Sequence, residues 1–231
     1  MAHPLTQSQS GNLLRGAHTL DPARWAWQPR GEVATARVPS ALDGLRLLSA
    51  SGCIRHIVVG VIGPRAATQA QLAAAEALGA GLGALGLTLI CGGKGGVMEA
   101  ACKGCDAVGG LSIGLLPGTA PGEANPFVGI ALPTGLNEGR NMVIARAARV
   151  LTAVGGSYGT LSEVAYGLHF GKPVIGVEDA PQVEGVIHTQ STAAAIEETC
   201  AALLKSADIV PTNDAPSPRS ANGRILPKGE T

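Results

Sequence analysis

The stretch Gly155-Gly156-Ser157-Tyr158-Gly159-Thr160-Leu161-Ser162-Glu163 constrains this chain more than any other. It follows an apolar run over 150–154 and leads into a helical pattern that stops near Gly171-Lys172-Pro173. A strand that gives way to glycines and then to a helix start is how α/β proteins hold a phosphate. Glycines let backbone N–H groups approach the anion, and the helix N-terminus adds partial positive charge. The expected cradle is Gly155, Gly156, Ser157, Tyr158, Gly159 and Thr160. Glu163 sits one turn into the helix, where it would face the sugar or base of a bound nucleotide.

The surrounding pattern supplies a fold for that cradle. Apolar strands are expected at 57–62, 87–91, 111–116, 128–132, 150–154 and 174–177, alternating with helices at 68–85, 97–109, 137–149, 160–170 and 192–205. Such alternation predicts an α/β, Rossmann-like doubly wound and mostly parallel sheet of about six or seven strands, with helices on both faces. The 33 glycines, against six aromatic residues, suit the tight turns and close helix packing of that class. Ligands of such sheets lie beyond the carboxyl ends of the strands. Gly63-Pro64-Arg65 and Gly92-Gly93-Lys94-Gly95-Gly96 leave strands at that edge too, so Gly63, Gly92, Gly93, Lys94, Gly96 and Met98 join the candidate contacts. Lys94, flanked by glycines, reads either as a phosphate ligand or as a solvated loop charge.

The expected organisation is an N-terminal extension over 1–52, a Rossmann-like nucleotide- or phosphate-binding domain over 53–208 and a flexible tail over 209–231. Trp25 and Trp27 alternate within the extension, as on a short edge strand or strap packed against the domain. Zero net charge and the lack of a basic stripe argue against a nucleic-acid partner. No apolar run reaches membrane-spanning length and no signal pattern opens the chain, so the expected location is cytoplasmic. Five cysteines, at 53, 91, 102, 105 and 200, are expected as buried thiols. Cys102-Lys103-Gly104-Cys105 lacks the second ligand pair a metal site needs, and no metal is expected.

Several chemistries fail on spacing. The 92–96 loop lacks the Lys-Ser/Thr of a nucleoside-triphosphate loop, and it fails the dinucleotide fingerprint. Gly155-Gly156-Ser157-Tyr158-Gly159 does fit G-x-S-x-G, with Asp179 and His188 following in hydrolase order, but those two lie too close in sequence for the elements that separate triad members. Two charged residues stand out. Glu163 completes a capping box with Thr160 if it is structural, and otherwise it is a candidate catalytic group. Arg140 lies in the first turn of a helix, where the macrodipole disfavours a cation, so it points either to an anion or to neighbouring Glu138.

At these residues the chain resembles the LOG-like ("lysine decarboxylase-like") Rossmannoid superfamily. The matching pieces are Gly92-Gly93 to Gly96-Val97-Met98, Pro133-Thr134-Gly135-Leu136 with Arg140, and Gly156 through Glu163. The resemblance implies a nucleoside 5′-monophosphate site that releases base and ribose 5-phosphate, with Arg140 and Glu163 as its catalytic pair and the 155–160 loop around the phosphate. It also implies a homodimer or higher homo-oligomer and no required cofactor. Gly155 and Ser157 replace a proline and a glycine of that signature, and Asn141 replaces a lysine. These departures look closer to a branch that contains uncharacterised bacterial nucleotide-binding proteins and molybdenum-cofactor carrier proteins, which bind a phosphorylated pterin without turnover. The ligand implied is a phosphorylated small molecule, either an AMP-like nucleotide or molybdenum cofactor.

Overall fold

The computed structural model describes residues 3–29, 31–50 and 54–209, so Cys53 and the expected tail beyond Ile209 lie outside it. The chain opens with five short strands, β1 (Leu5–Ser8), β2 (Leu13–Arg15), β3 (His18–Asp21), β4 (Ala26–Pro29) and β5 (Ala34–Arg37), followed by helix α1 (Ala41–Ser49). Alternation begins with β6 (Val58–Ile62), α2 (Gln69–Ala84), β7 (Thr88–Cys91), α3 (Val97–Ala107), β8 (Leu111–Leu116) and β9 (Ile130–Pro133). It continues through α4 (Arg140–Ala147), β10 (Val150–Val154), α5 (Tyr158–His169), β11 (Val174–Val177), β12 (Val186–His188), α6 (Thr192–Lys205) and β13 (Asp208–Ile209).

Seven parallel strands form the main sheet in the order β12-β11-β10-β6-β7-β8-β9. The chain steps outward from β6 to β9, then crosses back to lay β10 against the other side of β6. The order reverses between β6 and β10, and such a switch point leaves a crevice beyond the strand ends. Val59 pairs with Val150 and Ile62 with Ala153, so these two strands finish almost level and their loops leave side by side. This places the expected phosphate loop next to Gly63-Pro64-Arg65.

The sheet is covered on both faces. Val59, Val61, Val150 and Val154 pack with α2, α3 and α6, whereas Ile62, Leu151 and Ala153 pack with α4 and α5. Thr68 caps α2: its hydroxyl accepts from the Gln71 N–H while the Gln71 side chain reaches back, a complete capping box. Helices α2 and α3 approach until backbone meets backbone. A Cβ on Gly79 would overlap the Ala101 carbonyl, and one on Gly104 would overlap that of Glu76. Gly104→Ala is therefore expected to destabilise by about 2 kcal/mol despite the better helix propensity of alanine. A urea unfolding midpoint equal to that of the parent would refute this account of the packing.

The N-terminal extension differs from expectation. Instead of a strap or single edge strand, it supplies five strands of a second, six-stranded sheet in the order β13-β4-β3-β2-β1-β5, antiparallel except where β13, from after α6, pairs with β4. Strands of three or four residues carry too short an alternation to be read from sequence. Trp25 and Trp27 are fully buried and donate their indole N–H groups to the carbonyls of Leu203 and Leu204 at 3.0 and 3.2 Å. The last turn of α6 leaves those carbonyls without helical partners, so the tryptophans cap the helix as they fill the interface. Glu197 of α6 reciprocates by accepting the first N–H groups of α1, from Ala41 and Leu42.

Candidate functional site

The phosphate loop starts where β10 ends. Gly155 turns the chain with φ +63°, a conformation side chains resist, and its N–H is tied to the Val177 carbonyl at 3.1 Å. Ser157 then caps α5, its hydroxyl accepting from the Thr160 N–H at 3.2 Å. The helix thus begins at Tyr158, two residues earlier than expected, and Thr160 lies inside it, so the Thr160–Glu163 capping box does not form. Among the described residues, no protein acceptor takes the N–H groups of Gly156, Ser157, Tyr158 or Gly159. A row of free amides at a helix start is an anion cradle.

Glu163, released from capping, turns inward towards Arg140, the first residue of α4. Their side chains stand 3.8 Å apart, with the residues only 6% and 7% exposed. That distance is an ion pair without a hydrogen bond. Arg140 Nε and Nη1 are buried with no acceptor at all. Burial lowers the Arg140 pKa, an effect that Glu163 partly offsets. Burial likewise pushes the Glu163 carboxyl up to about 7, with Arg140 pulling it down. Both charged forms are thus penalised, and a buried donor left unsatisfied costs about 1–3 kcal/mol. An acceptor-rich anion beside Arg140 would recover that cost.

Gly92 explains how the guanidinium fits. A Cβ there would overlap the Arg140 guanidinium, so the start of the 92–96 loop is a shelf for the cation. Part of that loop is held by the protein itself. The Gly93 N–H meets Cys91 Sγ, Asn125 binds the carbonyls of Gly93 and Lys94, and the Val97 N–H goes to the Pro64 carbonyl. Lys94 Nζ turns away to the carbonyl and carboxylate of Glu123, at 3.0 and 3.2 Å.

A cavity of about 480 Å³ at the switch point gathers Gly63, Gly92, Met98, Arg140, Gly156, Ser157, Gly159, Thr160 and Glu163 from the expected set. Gly93, Lys94, Gly96, Gly155 and Tyr158 do not line it, and Tyr158 stands 94% exposed. The wall also includes Arg65, Asn137, Glu138 and Asn141, which were not among the expected contacts. For Arg65 the signal was available, since it follows the turn glycine and proline of the first core strand. For Glu138 and Asn141 it lay in their closeness to Arg140 in the chain, whereas Asn137 sits in a turn that the sequence pattern does not mark. Ser157 is not a hydrolase nucleophile by its contacts: its hydroxyl meets Thr160, and His188 meets Gln182 at 3.4 Å.

Fold and site together define a Rossmann-like protein with an anion-ready helix start at its sheet switch point. The chain belongs to the SLOG cluster4 family, whose profile matches residues 56–207. The whole second sheet, β1 to β5 and β13, lies outside that match. Among curated proteins, an uncharacterised protein of Archaeoglobus fulgidus is 37% identical over 128 residues, 55% of this chain and 84% of that one. Among solved structures, the molybdenum cofactor binding protein of the phototrophic bacterium Rippkaea orientalis is 35% identical with a TM-score of 0.61, covering 63% of this chain and 96% of its own. The molybdenum cofactor carrier protein of Chlamydomonas reinhardtii is 34% identical with a TM-score of 0.59, covering 64% and 98%. The resemblance to the branch that holds such carriers is borne out, as is the doubly wound parallel sheet.

Proposed function

We propose that the protein binds a phosphorylated small molecule, with the terminal phosphoryl group between the first turn of α5 and Arg140, and that it acts as a carrier. The observation that carries this reading is the pair of unsatisfied Arg140 N–H groups opposite unpaired backbone amides. Likeness to a molybdenum cofactor binding protein and a carrier protein, over nearly their whole lengths, supports a phosphorylated pterin as the cargo. No group of three His, Cys, Asp or Glu side chains able to hold a metal occurs among the described residues, so cargo recognition would run through the phosphate and the organic part. No helix of the described residues is long and apolar enough to cross a membrane, which fits a cytoplasmic carrier.

A second reading draws on Glu163. A carboxyl that titrates near 7, set against a cation in a cavity of nucleotide size, can exchange protons with an attacking water or a sugar hydroxyl. Hydrolysis of a nucleoside 5′-monophosphate to free base and ribose 5-phosphate is that reading. The two separate on one experiment, in which purified protein is mixed with AMP and free adenine is followed. The carrier reading expects binding without adenine release. Release that Glu163→Ala abolishes would overturn the carrier reading and establish the hydrolase.

A further inference from the structure

Asn141 follows Arg140 on α4, is 8% exposed and lines the same cavity. Its Nδ2 donates to Ser162 Oγ at 2.9 Å, and Ser162 Oγ donates onward to the Gly159 carbonyl at 2.7 Å. The direction is forced. A hydroxyl has one proton, here spent on Gly159, so Ser162 can only accept from Asn141. Turning the amide over would set two oxygens against each other. Oδ1 is therefore the free atom of Asn141, without a donor among the described residues, and it is not sealed in the core but belongs to a residue that lines the cavity.

We propose that Asn141 is a specificity-determining residue: its Oδ1 accepts a hydrogen bond from an O–H or N–H of the ligand whose phosphoryl group sits at Arg140 and α5. The assignment rests on the phosphate-binding reading and narrows it. Around the anion the site offers donors, namely the α5 amides and the guanidinium. One helical position from Arg140 it offers a fixed acceptor. Covering that acceptor with carbon strips its water and returns nothing, so a phosphate ester lacking a donor there is rejected. The ligand class favoured is a phosphorylated sugar, nucleotide or amino-heterocycle over a simple alkyl phosphate. A lysine at this position would supply donors in place of the acceptor, so the asparagine changes what the wall can read.

The alternative is that Asn141 merely staples α4 to α5 through Ser162. Titration calorimetry of the full chain with inorganic phosphate, AMP and n-propyl phosphate separates the two. For Asn141→Leu, similar in shape but unable to accept, AMP affinity is expected to fall roughly tenfold while phosphate and propyl phosphate stay within about twofold. Ser162→Ala, which frees the amide to rotate, should reduce the preference for AMP over propyl phosphate with phosphate binding retained. Equal weakening of all three probes by Asn141→Leu would show a staple and overturn the assignment, as would unchanged AMP affinity in both variants. Failure of the parent protein to bind inorganic phosphate would instead remove the phosphate site itself, and this assignment with it.

Discussion

Arg140→Gln is expected to weaken inorganic phosphate and AMP binding by about 100-fold, with the melting temperature held within a few degrees. The cation lines the cavity, and its Nε and Nη1 lack an acceptor. Charge-assisted hydrogen bonds formed out of water contribute about 1.5–3 kcal/mol, enough for two orders of magnitude. Stability should change little because the guanidinium is penalised by burial in the unliganded protein and Glu163 can become neutral when its partner leaves. Gly92→Ala should mimic the loss without touching any charge, since the added methyl takes the space of the guanidinium. Lys94→Ala should change affinity less than about twofold, because its ammonium is already held by Glu123. Calorimetric titration at fixed salt checks all three. Parent-like affinity in the Arg140 variant would place the anion elsewhere.

Most of what positions this site was legible in the chain. Runs such as 57–62 and 150–154 are buried on both faces and read as parallel strands, and the glycines at 155–159 announce a helix entered by a tight turn. Arg140 and Glu163, 23 positions apart, are joined only when α4 and α5 pack side by side on one face of the sheet. Sequence could nominate each of them but not their 3.8 Å approach. The N-cap was misplaced because Ser157 and Thr160 are both good capping residues. Turn geometry at Gly155 decides between them, and the chain does not spell out that geometry. The two glycine loops looked alike as sequence yet differ in use. Asn125, distant in the chain, takes up two carbonyls of the 92–96 loop, and no local pattern reveals that. The N-terminal sheet was hidden by strands of three or four residues and by its dependence on α6 for a partner.

Protonation of Glu163 should set both the stability and the anion affinity of the protein around neutral pH. Its carboxyl is raised from 4.5 to about 7 by burial, against the pull of Arg140. Below pH 4.5 the group is protonated in folded and unfolded chains alike, and its full stabilising contribution is present. As the pH rises towards 7 the unfolded chain releases the proton first, so the contribution shrinks and is gone once the folded group also ionises. The difference amounts to at most about 3 kcal/mol. Urea midpoints measured from pH 4.5 to 8 should therefore fall more steeply for the parent than for Glu163→Gln, which lacks the titrating group. An anion at Arg140 displaces the ionised carboxylate and favours its protonated form, so binding should draw in a proton. Sulfate, which does not titrate in this range, isolates the effect. Its affinity for the parent should drop as pH rises through 7, and that for Glu163→Gln should hold nearly level. Parallel profiles for the two proteins would mean that Glu163 does not sense the anion, and that the pair at the switch point is two neighbours instead of one site.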